Sequence, residues 1–229
     1  MGCGDGNTRR AGVGRRAAIR GSSNCARAIV EQGLSYPTQW PETAKVLRCA
    51  ASSRALVVRD ANAAPREVIC ALNDVLFDNV HNRLQRDDHA TLTVLRYRRS
   101  GEIVFAGAHE EILVVRHASH ACEVIRTPGT WVGGRRDIRR GTVDSELRLE
   151  HGDLMLLYTD GVTEIRNARG EMFGLDRLIK ELERVHALPV GHAIEQLLTA
   201  VGHWGQAEDD VTLLACRFVA DGATSVPHS

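Results

Sequence analysis

The chain has 229 residues, 43% hydrophobic and 25% charged, enough apolar material for a sizeable core. Lysine plus arginine and aspartate plus glutamate number 29 each, and this zero net charge argues against a whole-molecule electrostatic trap for nucleic acid. The six cysteines (Cys3, Cys25, Cys49, Cys70, Cys122, Cys216) show no CxxC pair and no zinc-ligand spacing with histidine, no run approaches the ~18 apolar residues of a membrane span, and no apolar signal core opens the chain, so a cytoplasmic location is expected.

In chain order, residues 1–27 carry no apolar period. The first sixteen hold five glycines and four arginines, too little apolar surface to offset the entropy of ordering, so disorder is expected. Without aromatics for stacking, a basic nucleic-acid arm is the weaker reading. Residues 28–53 are ambiguous: Tyr36 to Pro41 is a break, and Glu42 to Val58 can be helical. Pro65 opens a firmer helix to Asn79, with Val68, Ala71, Leu72, Val75 and Leu76 on one face. His89 to Arg98 alternates as a strand, Arg99 to Glu102 turns, and Ile103 to Ala106 returns. Gly107-Ala108-His109 reads as a break, and Ile112 to Arg116 resumes. His109 has two readings, a local hydrogen-bonding residue or a metal ligand or general acid.

Cys122 to Ile125 is a further short strand, and Thr127 to Gly134 is a glycine-rich loop, a plain connection or a flap beside a site. Arg135, Arg136, Arg139 and Arg140 form either a solvated surface or a contact for a phosphoprotein. Thr142 to Leu149 alternates and is expected to pair, through the Glu150–Asp153 turn, with Leu154 to Tyr158. That last run is wholly apolar and reads as a strand buried on both faces. Helices are expected from Leu175 to Val185 and from His192 to Val201, with His186, His192 and His203 on or beside polar faces. A final strand runs from Val211 to Cys216.

Two acidic sites flank the buried strands. Thr159-Asp160-Gly161 ends one, and Glu208-Asp209-Asp210 enters the other. Each alone is compatible with a turn that uses aspartate to bond nearby amides. Together, Asp160 and Asp209 are expected to meet at one end of adjacent strands, where two carboxylates suit a hard divalent ion such as magnesium or manganese.

The stretch from Gly152 to Glu164, then Met172-Phe-Gly-Leu175, then Asp209-Asp-Val-Thr-Leu213 resembles the C-terminal half of a SpoIIE-type serine phosphatase of the metal-dependent (PPM, protein phosphatase 2C-like) class. Leu72-Asn73, Thr91-Leu92 and Ala106-Gly-Ala-His109 stand in the order that family shows. The resemblance covers roughly residues 54–219, leaving 1–53 as an atypical segment and 220–229 as a disordered tail. It implies an α+β fold, a four-layer α-β-β-α sandwich with metals at one end of its two sheets and an incomplete N-terminal part. It also implies two Mn2+ or Mg2+ ions about 3.5–4 Å apart that activate a water against a phosphoserine or phosphothreonine. By the resemblance Asp160 and Asp209 are catalytic metal ligands, with Gly161 and Asp210 completing the metal-binding set. The implied partner is a phosphorylated regulatory protein of the anti-sigma-factor-antagonist type, with neither nucleic acid nor a membrane span.

One family element is not found. The early Gly-Asp-x-x-Gly-His-Gly stretch has no counterpart, and Ala28 falls where its aspartate would stand. A lost anionic ligand weakens a bimetal site. Two expectations follow, a working phosphatase or a catalytically impaired pseudophosphatase serving as an interaction module. An upstream frame error or truncation would account for both the Arg/Gly-rich start and the onset of resemblance near Arg54.

Overall fold

The computed structural model describes residues 63–207, 209 and 211–220. The expectations for segment 1–53, for Asp210 and for the tail beyond residue 220 lie outside the described residues. Helix α1 (Pro65–Phe77) begins with proline in its first turn, where a missing N–H costs nothing. The Glu67 carboxylate accepts the Ala64 N–H at 3.2 Å. The chain continues in a wider π-type winding over Asp78–Leu84 and stops at Gln85, whose φ of 51° is left-handed.

Among the described residues seven strands follow: β1 (Leu92–Tyr97), β2 (Glu102–Ala108), β3 (Ile112–Val115), β4 (Cys122–Ile125), β5 (Ser145–Arg148), β6 (Leu154–Tyr158) and β7 (Leu213–Arg217). Between β6 and β7 lie the short helix α2 (Asp160–Thr163) and the longer α3 (Leu175–Val185) and α4 (Val190–Trp204). The strands form two antiparallel sheets, ordered β1-β2-β5 and β4-β3-β6-β7. Helix α1 packs on the first sheet, and α3 and α4 pack on the second.

Side-chain alternation turns this order into three apolar layers. Ile69, Cys70, Ala106, Val132 and Ile138 fill the space between α1 and the first sheet. Ile103, Phe105, Ile112, Val114, Leu147, Leu149 and Met155 fill the space between the sheets. Leu113, Val115, Leu154, Leu156 and Tyr158, on the opposite face of β3 and β6, meet Leu178 and Leu182 of α3 and Ala193 and Leu197 of α4. Because successive strand residues point to opposite faces, β3 and β6 must be apolar throughout. The result is the four-layer α-β-β-α sandwich that the family resemblance implies.

Four local expectations are corrected. Strand β5 pairs with β2 (Phe105 opposite Ser145), not with β6. The Leu149–Asp153 connection crosses between sheets: the Leu149 N–H donates to the Gly101 carbonyl, while the Asp153 carbonyl accepts from Phe218 N–H. Gly107 and Ala108 belong to β2 and do not interrupt it; Gly107 has φ 113°, and a Cβ there would stand 2.0 Å from the Leu92 carbonyl oxygen. The buried face of α1 runs through Ile69, Cys70 and Asn73, one position away from the expected stripe. His186 is buried, not on a polar face; its Nε2 lies 2.9 Å from Nδ1 of His120, and its Nδ1 lies 2.6 Å from the Glu183 carbonyl oxygen.

Candidate active site

One end of the second sheet gathers the acids. Register fixes this: in the β6–β7 pair Tyr158 faces Leu213, and the next step is tied by Thr159 N–H donating to the Thr212 carbonyl at 3.2 Å and Thr212 N–H donating to Thr159 Oγ1 at 3.0 Å. Asp160, one residue beyond Thr159, therefore leaves β6 at the end where Asp209 approaches β7. Strand β3 is antiparallel to β6, with Leu113 opposite Leu156, so Glu110 and Glu111 also lie at that end.

Asp160 is exposed and opens α2. Its Oδ1 accepts the Gly161 N–H at 2.9 Å, and its carbonyl accepts the Glu164 N–H at 2.8 Å and the Thr163 hydroxyl at 3.1 Å. Gly161 and Val162 are buried, so this turn is anchored from below while the carboxylate faces out. Asp209 is likewise exposed.

The end is electrostatically crowded. Burial pushes the Glu110 carboxyl up; His109 pulls it down, and the negative charges of Glu111, Asp160 and Glu164 push it further up. The Tyr158 hydroxyl donates to Glu111 Oε2 at 3.2 Å. Burial first, then Glu111 and Glu110, raise the Tyr158 phenol, keeping it a neutral donor. Several oxygen donors with mutually repelling charges suit a hard divalent ion, whose charge would relieve the repulsion. Among the described residues no group of three histidine, cysteine, aspartate or glutamate side chains is poised to hold a metal.

His109 makes local bonds: its Nδ1 lies 3.0 Å from the Thr91 hydroxyl, and its backbone carbonyl accepts the Thr127 hydroxyl at 2.7 Å. Burial pushes the thiols of Cys70, Cys122 and Cys216 up, Cys122 to about 11, so they pack as protonated apolar groups.

Two polar residues carry more structure than sequence reasoning assigned them. Asn73, fully buried, donates from Nδ2 to the carbonyls of Arg135 (2.9 Å) and Arg136 (3.3 Å) and accepts the Gly133 N–H at 2.8 Å. Asp153, 2% exposed, accepts from Arg116 Nη1 at 2.7 Å, His117 N–H at 2.8 Å and Glu150 N–H at 2.9 Å. Burial raises its carboxyl, but the two backbone donors and Arg116 outweigh that and hold it below the usual carboxylate value. For both, the available signal was a polar residue inside an otherwise apolar or turn segment.

Comparison with known proteins bears on the fold and the family. Residues 43–219 match the family model described as stage II sporulation protein E (SpoIIE). Protein IcfG of Synechocystis sp. is 26% identical over 127 residues, which is 54% of this chain and 20% of that protein. The chain thus spans a small part of that relative's length. Among solved structures, the RsbU and RsbW domains of Rv1364c from Mycobacterium tuberculosis superpose with a TM-score of 0.57 at 23% identity, covering 70% of this chain and 43% of theirs. The phosphatase domain of SpoIIE from Bacillus subtilis superposes with a TM-score of 0.51 at 13% identity, covering 99% of this chain and 98% of that one. At these identities the structural likeness establishes the fold, and the family-model match, over most of the chain, establishes kinship: the chain belongs to the SpoIIE family of PPM-type serine phosphatases.

Proposed function

We propose that this chain is a metal-dependent serine/threonine phosphatase domain that hydrolyses a phosphorylated residue on a regulatory protein, of the anti-sigma-factor-antagonist kind. The observation that supports the reading is that Asp160 leaves β6 at the end where the chain enters β7, close to Glu110, Glu111 and Glu164, with Asp209 three residues before Thr212, which is bonded to Thr159. In this reading Asp160, the Gly161 carbonyl, Asp209 and Asp210 would hold Mn2+ or Mg2+. When bound, the metal supplies Lewis acidity toward phosphate and a water made nucleophilic near neutral pH. The chain's own residues then have positioning roles. The buried Gly161–Val162 turn fixes the direction of the Asp160 carboxylate, and the Thr159–Thr212 bonds fix its height relative to Asp209.

The test is hydrolysis of p-nitrophenyl phosphate and of a phosphoserine peptide with manganese. Turnover is expected in the wild type, with a loss of at least about a hundredfold in Asp160→Asn and Asp209→Asn, the scale of removing one preorganised electrostatic group. Equal rates in the variants reject the reading.

A second reading, a pseudophosphatase that keeps the fold as an interaction module, is favoured by a specific observation. No Gly-His-Gly stretch occurs in the chain, and among the described residues no three-ligand group is present. Manganese-independent binding of a phosphoprotein without turnover would select it.

A further inference from the structure

The glycine-rich segment singled out in the sequence does more than connect strands. Together with the residues ahead of β1 it walls a cleft of about 520 Å³, lined among others by His81, Asp87, His89, Trp131 and Arg135, with the Asp87 carboxylate turned to His81 at 3.5 Å. The cleft is built, not incidental. The chain on either side is tied by Ala90 and Val132, which exchange backbone hydrogen bonds of 2.9 Å in both directions. Asn73 clamps Gly133, Arg135 and Arg136 from beneath. The His89 ring lies parallel to Trp131, with centroids 4.4 Å apart and planes 11° apart, and Trp131 remains 54% exposed. A large ring held rigid by stacking on one face and open on the other is a ready surface for a second ring.

The charge beside it is also uncommitted. Among the described residues no carboxylate pairs with Arg135, whereas Arg139 pairs with Asp74 and Asp137, and Arg86 pairs with Asp88. The cleft adjoins the acidic end of the molecule through one stretch of backbone. Gly129 presses so closely on Gly107 and Ala108 that a Cβ there would come within 2.4 Å of Gly107. Thr127 bonds to His109, and Glu110, next in the chain, feels the charge of Asp160.

We propose that this cleft is a substrate-docking subsite. It takes the polypeptide beside the phosphorylated residue, seating an aromatic side chain on Trp131 and an acidic neighbour at Arg135. The substrate assignment rests on the phosphatase reading. The docking residues do not take part in the chemistry; they set which protein segment is presented to Asp160 and Asp209.

The experiment uses the full chain and two sets of short phosphoserine peptides, one bearing a Phe-Asp pair walked along either side of the phosphoserine and one with that pair replaced by Ala-Ala. Fluorescence polarisation reads binding, and phosphate release with manganese reads kcat and KM. At the best offset the Phe-Asp peptide is expected to bind about fivefold to tenfold more tightly than its Ala-Ala counterpart, the size of one aromatic contact. Trp131→Ala and Arg135→Glu are expected to abolish that preference through KM while leaving p-nitrophenyl phosphate hydrolysis unchanged. Absence of a preference at every offset, or its survival in both variants, overturns the proposal. Absence of manganese-dependent hydrolysis of any probe, with the binding preference intact and lost in the variants, overturns the phosphatase reading and leaves the docking cleft standing.

Discussion

At the scale of the residue, the buried acids and amides decide more than the exposed ones. Asp153 is held by three donors where β6 begins, at the opposite end of that strand from Asp160. Its folded carboxyl lies below its unfolded value, so it contributes stability that is present above about pH 4 and lost as pH falls through the depressed folded value. Replacing Asp153 by Asn removes the charge that Arg116 and the His117 and Glu150 N–H groups share, although Arg116 keeps Glu123 at 2.6 Å and the Arg148 carbonyl at 2.7 Å, and is expected to cost about 2 kcal/mol in urea unfolding at neutral pH. The variant should also lose stability less steeply than the wild type on acidification. A loss under about 0.5 kcal/mol, the level of an ordinary surface substitution, would show that the ion pair is not structural.

At the scale of the element, the strands, the β1–β2 hairpin and the β6–β7 neighbours were legible, and the partner of β5 was not. Continuous apolar runs at Ile112–Val115 and Leu154–Tyr158 announce strands buried on both faces, and both lie at the centre of the second sheet. Alternation in Ser145–Arg148 reports a half-buried strand but contains nothing that says which sheet it joins. The short Glu150–Asp153 turn resembles a hairpin, yet its two ends bond to different sheets. The α1 face was misread for a similar reason: apolar counting steps past Asn73, whose amide is buried because it meets three loop groups. Gly107 was read as a break because its neighbours give no sign that β1 lies against its Cα. Gly107→Val should therefore destabilise the fold by at least about 2 kcal/mol, since a side chain there collides with the Leu92 carbonyl and demands a disfavoured backbone conformation. Thermal unfolding reads this directly. An unchanged midpoint would mean that β1 and β2 separate at no cost.

At the scale of the whole molecule, three apolar layers hold the sheets and helices together, and Glu110, Glu111 and Asp160 come to one end of the second sheet. The strand ends were legible in the sequence because Asp160 follows one apolar run and Asp209 precedes another, and those two strands, β6 and β7, are neighbours in the second sheet. The cleft was less so: stacking of His89 on Trp131 joins residues far apart in the chain, and only the glycine-rich composition hinted at a close approach. Calorimetric titration of manganese into the full chain reads the Asp160 and Asp209 site without requiring turnover. A saturable binding heat is expected in the wild type and is expected to disappear in both Asp160→Asn and Asp209→Asn. An isotherm unaltered by either substitution would contradict this expectation.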